Sequence, residues 1–260
     1  MVSTRNKSTS HPSALLACLI AISFLDFFFL PAVLQAQSPG SGTTAKTITA
    51  WFNGAEEARK YGSIKNEVEL LVLNLGFSGL GEGLLVGRLV EGSQKRIPAE
   101  KLLAALRDET RRLQSIARLL NDRGLFPVGD ADGLAAEASL LLRAGLGEGE
   151  FSVALDATAE LADLKTPLPK VQRVLSALST VLAIHARFQL EAGDRRKLAA
   201  TLVMSRIPRE RFGSLVSLFA RGKASGLAQS RICLLVIEFA SSGATMERIE
   251  RELERRIRTP

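Results

Sequence analysis

Aromatic side chains, histidine and cysteine are all scarce in this chain, and each scarcity closes off a class of chemistry. Tryptophan and tyrosine occur once each, at Trp51 and Tyr61. Four of the twelve phenylalanines, Phe24, Phe27, Phe28 and Phe29, fall in the N-terminal segment. Sugar-binding and single-stranded nucleic-acid surfaces depend on aromatic stacking, so the rest of the chain is poorly equipped for either, and no nucleic-acid partner is expected. Of the two histidines only His185 lies beyond the N-terminal segment, and a lone histidine without a cysteine partner argues against a histidine-based zinc site. The two cysteines are Cys18 and Cys233. Loss of the first with a cleaved leader would leave no intrachain disulfide, which a domain of this size does not need. Cys233 stands within Ile232-Cys-Leu-Leu-Val-Ile237 and reads as a buried structural thiol.

The N-terminus carries the strongest signal. Arg5 and Lys7 open it, an apolar run from Ala14 to Leu25 follows, and after Asp26 a second apolar stretch reaches Pro31 and then Ala32-Val-Leu-Gln-Ala36. Small residues after a helix break suit signal peptidase, with the cut expected after Ala36 and Leu34 at the −3 position. An uncleaved membrane anchor is the competing reading, but a spanning helix needs about 20 apolar residues and Asp26 interrupts this one. A lipobox through Leu15-Leu-Ala-Cys18 has almost no hydrophobic core before it. Cleavage after Ala36 would remove Arg5, Lys7 and Asp26, leaving the mature net charge one unit below the +7 of the whole chain. The expected division is therefore a signal peptide at 1–36, a small and polar flexible leader at 37–50, and a helical domain at 51–260. The location that follows is periplasmic or secreted.

Leu and Ala dominate the apolar residues, and both favour helix. From Trp51 on, the apolar spacing is helical, with almost no alternation, so the predicted fold class is all-α. Internal repetition refines this. Gly79-Leu-Gly-Glu-Gly83 recurs word for word as Gly145-Leu-Gly-Glu-Gly149, 66 residues later. Each copy follows a Leu-rich run (Val68 to Leu75; Leu134 to Leu142) and precedes a moderately apolar segment (Leu84 to Val90; Phe151 to Leu161). Each then reaches a proline-marked helix start, at Pro98 and at Pro167/Pro169, and a long amphipathic run (Glu100 to Asn121; Lys170 to Glu191). A degenerate third copy begins near Arg206, after Lys197 to Met204, and continues through Phe212 to Ala220 and Leu227 to Ala240. The expectation is about three units of roughly 60 residues, each of about three helices, forming one solenoid-like or bundled domain. A C-terminal capping helix follows, with Met246, Ile249, Leu253 and Ile257 on its apolar face. Glu247/Arg251, Arg248/Glu252, Glu252/Arg256 and Glu254/Arg258 are spaced as i,i+4 pairs on the remainder.

The motifs that invite catalytic or ligand readings have plainer ones. A dinucleotide loop needs G-x-G-x-x-G after a strand, whereas this word is G-x-G-x-G after a helix and carries Glu82 or Glu148 in its middle. Glycine that ends a helix explains it. Arg-Ile-Pro-x-Glu at 96–100 and 206–210 reads as a helix start. His185 could serve a triad only with Ser176 or Ser179, and no nucleophile elbow is present, so a packing or capping role is expected. Asp130/Asp132 and Glu148/Glu150 are the carboxylate pairs a wall-cleaving hydrolase would use, but Asp132 reads as an N-cap and the apolar and aromatic walls of a glycan cleft are missing. Lys101, Arg107, Arg111, Arg112, Arg118 and Arg123 stud the first long helix, with Asp108 placed to pair with Arg111 or Arg112. No catalytic, cofactor or metal residue is assigned, and the chain is not expected to be an enzyme.

Leu85-Val-Gly-Arg-Leu-Val-Glu-Gly92, Lys95-Arg-Ile-Pro-Ala-Glu100 and Leu102-Leu-Ala-Ala-Leu-Arg107 resemble a repeat of uncharacterised exported bacterial helical proteins, a likeness covering about residues 65–220. The resemblance implies helical repeats and a cell-envelope location, and no activity, cofactor or site. The function expected is a protein-binding or scaffolding module whose partner is another envelope protein. The alternative is a basic binder of an anionic membrane surface or envelope polymer, and an envelope hydrolase ranks below both.

Overall fold

The computed structural model describes residues 47–127 and 129–259; the expected signal peptide, its cleavage site and leader residues 37–46 lie outside them. The described residues fold into eleven α-helices and three short 3-10 segments, with no strand among them. The helices are α1 (Ile48–Gly54), α2 (Lys65–Gly76), α3 (Gly83–Gln94), α4 (Ala99–Asn121), α5 (Ala131–Arg143), α6 (Glu148–Asp156), α7 (Pro167–Phe188), α8 (Ala192–Met204), α9 (Ser214–Ala224), α10 (Gln229–Ser241) and α11 (Met246–Arg258). The 3-10 segments are Glu56–Ile64, Ala157–Glu160 and Arg209–Arg211. None of these helices is both long and apolar enough to cross a membrane.

The expected leader extended to residue 50, but ordered structure begins earlier. Thr47 Oγ1 accepts the Ala50 N–H at 3.0 Å as an N-cap, and Ile48 and Trp51 are buried. Ile48 is drawn into the fold by its own backbone, whose N–H donates to Glu82 Oε2 at 3.1 Å, a contact 34 positions away that local composition does not encode. Trp51 meets Phe52 edge-on at 5.0 Å, and Tyr61 donates its hydroxyl to the Ile97 carbonyl at 2.9 Å.

Glycine punctuation ends the helices as expected. Gly79 (φ +75) and Gly145 (φ +104) take the left-handed region that a side chain resists. The next residue then donates back five positions: Leu80 N–H to Leu75 O at 3.4 Å, Leu146 N–H to Leu141 O at 3.1 Å. Leu80 and Leu146 are both buried, which supplies the hydrophobic half of this Schellman turn. The same backbone bond closes α3, α4, α9 and α10. At α3 the left-handed residue is Arg96 (φ 53), so the first Arg-Ile-Pro-x-Glu word both ends one helix and starts the next, with Pro98 at the N-cap of α4. The second word, with Pro208, opens a 3-10 turn ahead of α9 instead of an α-helix. The long run expected to reach Glu191 stops at Phe188, because Gln189 turns left-handed (φ 54) and Leu190 is buried beyond it.

The two long helices, α4 and α7, each pack among several shorter ones. α4 lies against α2, α3 and α5, while α7 lies against α5, α6, α8 and α9. α10 lies against α8, α9 and α11. One continuous apolar core runs through the set, with Phe151, Phe212 and Phe219 its largest fully buried side chains. α11 seats Met246, Ile249 and Leu253 in it, as expected. Its charges behave differently from the expected pairing. Of the four i,i+4 pairs, Glu252/Arg256 forms at 3.0 Å. Glu247 and Glu254 instead reach Arg211 and Arg221, at 3.2 and 3.8 Å, and Arg248 stacks over Phe239 at 5.7 Å. Charges on a docked helix find partners on the neighbour it covers, which single-helix spacing does not register.

Candidate functional site

The most elaborate polar cluster joins α3, α4 and α5. Glu109 is a buried carboxylate on α4, in the middle of an otherwise apolar face. Its Oε1 accepts the Ser139 hydroxyl of α5 at 2.8 Å, and its Oε2 accepts Arg112 at 2.7 Å. Arg88 of α3 and Arg143 of α5 complete the ring at 4.0 and 3.9 Å. Arg88 is also paired with Glu91 at 2.9 Å. The cluster ties α3, α4 and α5 together. Asp108 pairs with Arg111, so the expected choice between Arg111 and Arg112 resolves toward Arg111. Among the other basic residues of α4, Arg107 pairs with Glu67 and Arg123 with Asp156 at 2.7 Å. Lys101 and Arg118 form no ion pair among the described residues.

Beside this cluster lies an open hollow of about 370 Å³, lined by Asp108, Arg111, Arg112, Leu142, Leu146 and Glu148. A second, of about 540 Å³, sits where Tyr61 and Arg96 meet Pro98. The second also takes in Glu57, Lys60 and Ser93, and Ser93 donates its hydroxyl to the Val90 carbonyl of its own helix at 2.8 Å.

The two Gly-Leu-Gly-Glu-Gly words use their middle amides in the same way. Gly81 N–H donates to Asp132 Oδ1 at 2.8 Å, and Gly147 N–H donates to Glu150 Oε2 at 3.0 Å. A phosphate at either turn would have to displace a carboxylate already bonded there. The Asp132 carboxylate packs so closely that a Cβ on Gly81 would stand 2.3 Å from Oδ2. This corrects the expected N-cap: Asp130 occupies that position on α5, and Asp132 is committed to the distant turn. Glu150 also faces Arg195 of α8 at 2.9 Å, while Glu148 stays exposed, so the two members of that pair have separate surroundings.

His185 Nδ1–H donates to the Leu190 carbonyl at 3.0 Å, closing the left-handed end of α7. Ser176 spends its hydroxyl on the Gln172 carbonyl of its own helix at 2.9 Å. Ser179, six positions before His185, is about 9 Å away along the axis by helical rise. These residues are not gathered into a relay. The Cys233 thiol is fully buried, and that burial pushes its pKa up to about 12. No group of three or more metal-ligating side chains occurs among the described residues. Arg173 is the busiest cation: it donates to the carbonyls of Val203 at 2.6 Å, Leu202 at 3.0 Å, Ile207 at 3.0 Å and Ser205, and lies over Phe212 at 5.0 Å. It satisfies the carbonyls at the end of α8, and burial holds its pKa below the usual arginine value.

One surface was not foreseen. Leu70 and Leu73 on α2 and Phe77 at its C-cap are 59%, 60% and 88% exposed, at spacing i, i+3, i+7. Leu70 and Leu73 belong to the Leu-rich run, Val68 to Leu75, that precedes the first glycine word. Its apolar residues circle the helix, and only the neighbours decide which side is covered.

Comparison with protein families, with curated proteins and with solved structures finds no match to the chain.

Proposed function

We propose that the protein is an exported cell-envelope component whose helices form three stacked units and serve as a module that binds or scaffolds another envelope protein. The units are α2–α4, α5–α7 and α8–α10, with α11 as the cap. One observation carries the reading: the last helix of each set lies between the first helix of its own set and the helix that follows it, α4 between α2 and α5, α7 between α5 and α8, α10 between α8 and α11. Such a stack buries its core between neighbours and leaves long outer faces for partners. The committed bonding at the glycine turns, His185 and Glu109 supports a non-enzymatic role, since those side chains mainly hold each other. Export rests on the basic start, the apolar run and the small residues before Ala36.

A tagged chain expressed in its host tests this. The reading expects an N-terminus at Gln37 in the exported fraction and a stoichiometric protein partner that remains bound at high salt. An intact N-terminus in the cytosol, or attachment to anionic vesicles alone that salt removes, overturns it. The second of those outcomes would match Lys101 and Arg118, the cations of α4 that form no ion pair among the described residues.

A further inference from the structure

We propose that the outer face of α2 and its C-cap, built on Leu70, Leu73 and Phe77, seats an amphipathic helix of another protein, apolar on the side it buries and acidic along the edge nearest α4. The inference rests on the stacked-unit reading. The 66-residue offset between the two glycine words places Leu73 and Phe77 opposite Ser139 and Arg143 of α5. On α5 the middle of that row meets a helix: Ser139 is 0% exposed and bonds Glu109 of α4 at 2.8 Å, while Ala136, opposite Leu70, is exposed and Arg143 is exposed but approaches the same carboxylate at 3.9 Å. On α2 the same row faces solvent and carries the larger apolar side chains. The row thus touches α4 through Ser139 and Arg143 in one unit and stands bare and apolar in the preceding one, where a helix can take the same place.

The flanking charge sets the partner's chemistry. Glu67 pairs with Arg107, and Asn74 accepts from Gln114 at 3.1 Å through its backbone, so α2 and α4 run parallel with a constant offset of 40 residues. Arg111, Gln114 and Arg118 continue the edge of α4 from Arg107 at helical spacing, alongside the bare row. That edge is net basic, with Arg118 free of any ion pair among the described residues. An acidic edge on the incoming helix complements it. A second copy fits less well. The three side chains offer roughly 400 Å², about half of what each partner buries in a stable dimer. The opposite end of the stack is no match either, because α11 turns Arg251, Glu254, Arg255 and Arg258 outward.

The test uses two fluorescent synthetic helices of identical leucine face, one flanked by glutamate and one by lysine, titrated onto the purified protein. The glutamate peptide should bind at micromolar concentration and the lysine peptide at least tenfold more weakly. L73S/F77S should weaken the glutamate peptide tenfold or more with an unchanged thermal melt, since both side chains face solvent. Arg118→Glu should weaken it several-fold, and Leu234→Ser, an exposed leucine on α10, should leave it unaltered. Equal binding of the two peptides, or equal binding by L73S/F77S, overturns the proposal. So does attachment to phosphatidylglycerol vesicles, or a concentration-dependent dimer, that L73S/F77S abolishes while neither peptide binds. An envelope partner still held by L73S/F77S removes this face and leaves the scaffold function standing; loss of any envelope partner removes that function, while the peptide titration still judges the face.

Discussion

Replacing Glu109 by alanine should be among the most damaging polar substitutions in the chain. The carboxylate accepts the buried Ser139 hydroxyl at 2.8 Å and Arg112 at 2.7 Å, with Arg88 and Arg143 close behind. Alanine orphans a hydroxyl that water cannot reach, at about 1–2 kcal/mol, and removes a charge-assisted bond worth about 1.5–3 kcal/mol. The arginines are 26% to 37% exposed and can swing toward water, which lowers the sum to about 2–4 kcal/mol. For a domain of this length each kcal/mol moves Tm by about 2–4 °C, so a fall of about 5–15 °C is expected. Glu109→Gln keeps an acceptor for Ser139 and should cost about half as much. Ser139→Ala should cost about 1 kcal/mol alone, and the E109A/S139A pair should cost about 1 kcal/mol less than the sum, because no hydroxyl is then left orphaned. Thermal melts followed by circular dichroism at pH 7, with and without 0.5 M salt, supply the numbers. A melt for Glu109→Ala within about 1 °C of the wild type, or strict additivity in the cycle, would refute the reasoning.

Gly145 sits at φ +104, so Gly145→Ala should destabilise by about 1–2 kcal/mol, whereas Gly87→Ala, in open space within α3, should stabilise by about 0.5–1 kcal/mol; paired denaturant titrations check both signs. The Cys233 thiol, buried and pushed up to about 12, should ignore a thiol reagent at pH 8 until the chain unfolds, and stoichiometric labelling of the native protein would contradict its placement. The hydrogen bonds from Arg255 and Arg256 hold the Glu252 pKa down to about 2. A depressed carboxylate stabilises the fold above its unfolded pKa and loses that contribution as the pH falls toward its folded one. Glu252→Gln should therefore cost about 0.5–1 kcal/mol at pH 7, the arginines being largely exposed, and the gap to wild type should shrink between pH 4.5 and 2, as acid titrations of both proteins would record.

What the sequence made legible was local. Leucine and alanine stripes, the glycine words and the prolines mark ten of the helices to within a few residues, because helix periods and helix ends are set by neighbours along the chain. Three kinds of feature escaped. The segment from Ile48 to Ile64 was partly assigned to a polar leader, since its burial depends on Glu82 and Ile97 far along the chain. Helix ends at Arg96 and Gln189 lack the glycine that announces a left-handed residue. The Glu109 ring does not show in the sequence, where Asp108 is offered to Arg111 or Arg112, because Arg88 and Arg143 arrive from other helices. The bare row on α2 was invisible for the same reason: its leucines look like the buried ones, and only the missing neighbour sets them apart.

Native-state hydrogen exchange on a chain carrying Ile249→Asp tests the stacked-unit account most directly. Ile249 is fully buried where the cap meets the core, so the change should undock α11. If the units hold one another only through nearest neighbours, amides of α8–α10 lose protection while those of α3 and α4 keep theirs. Equal loss of protection from α3 through α10 would mean one indivisible bundle and would contradict the account.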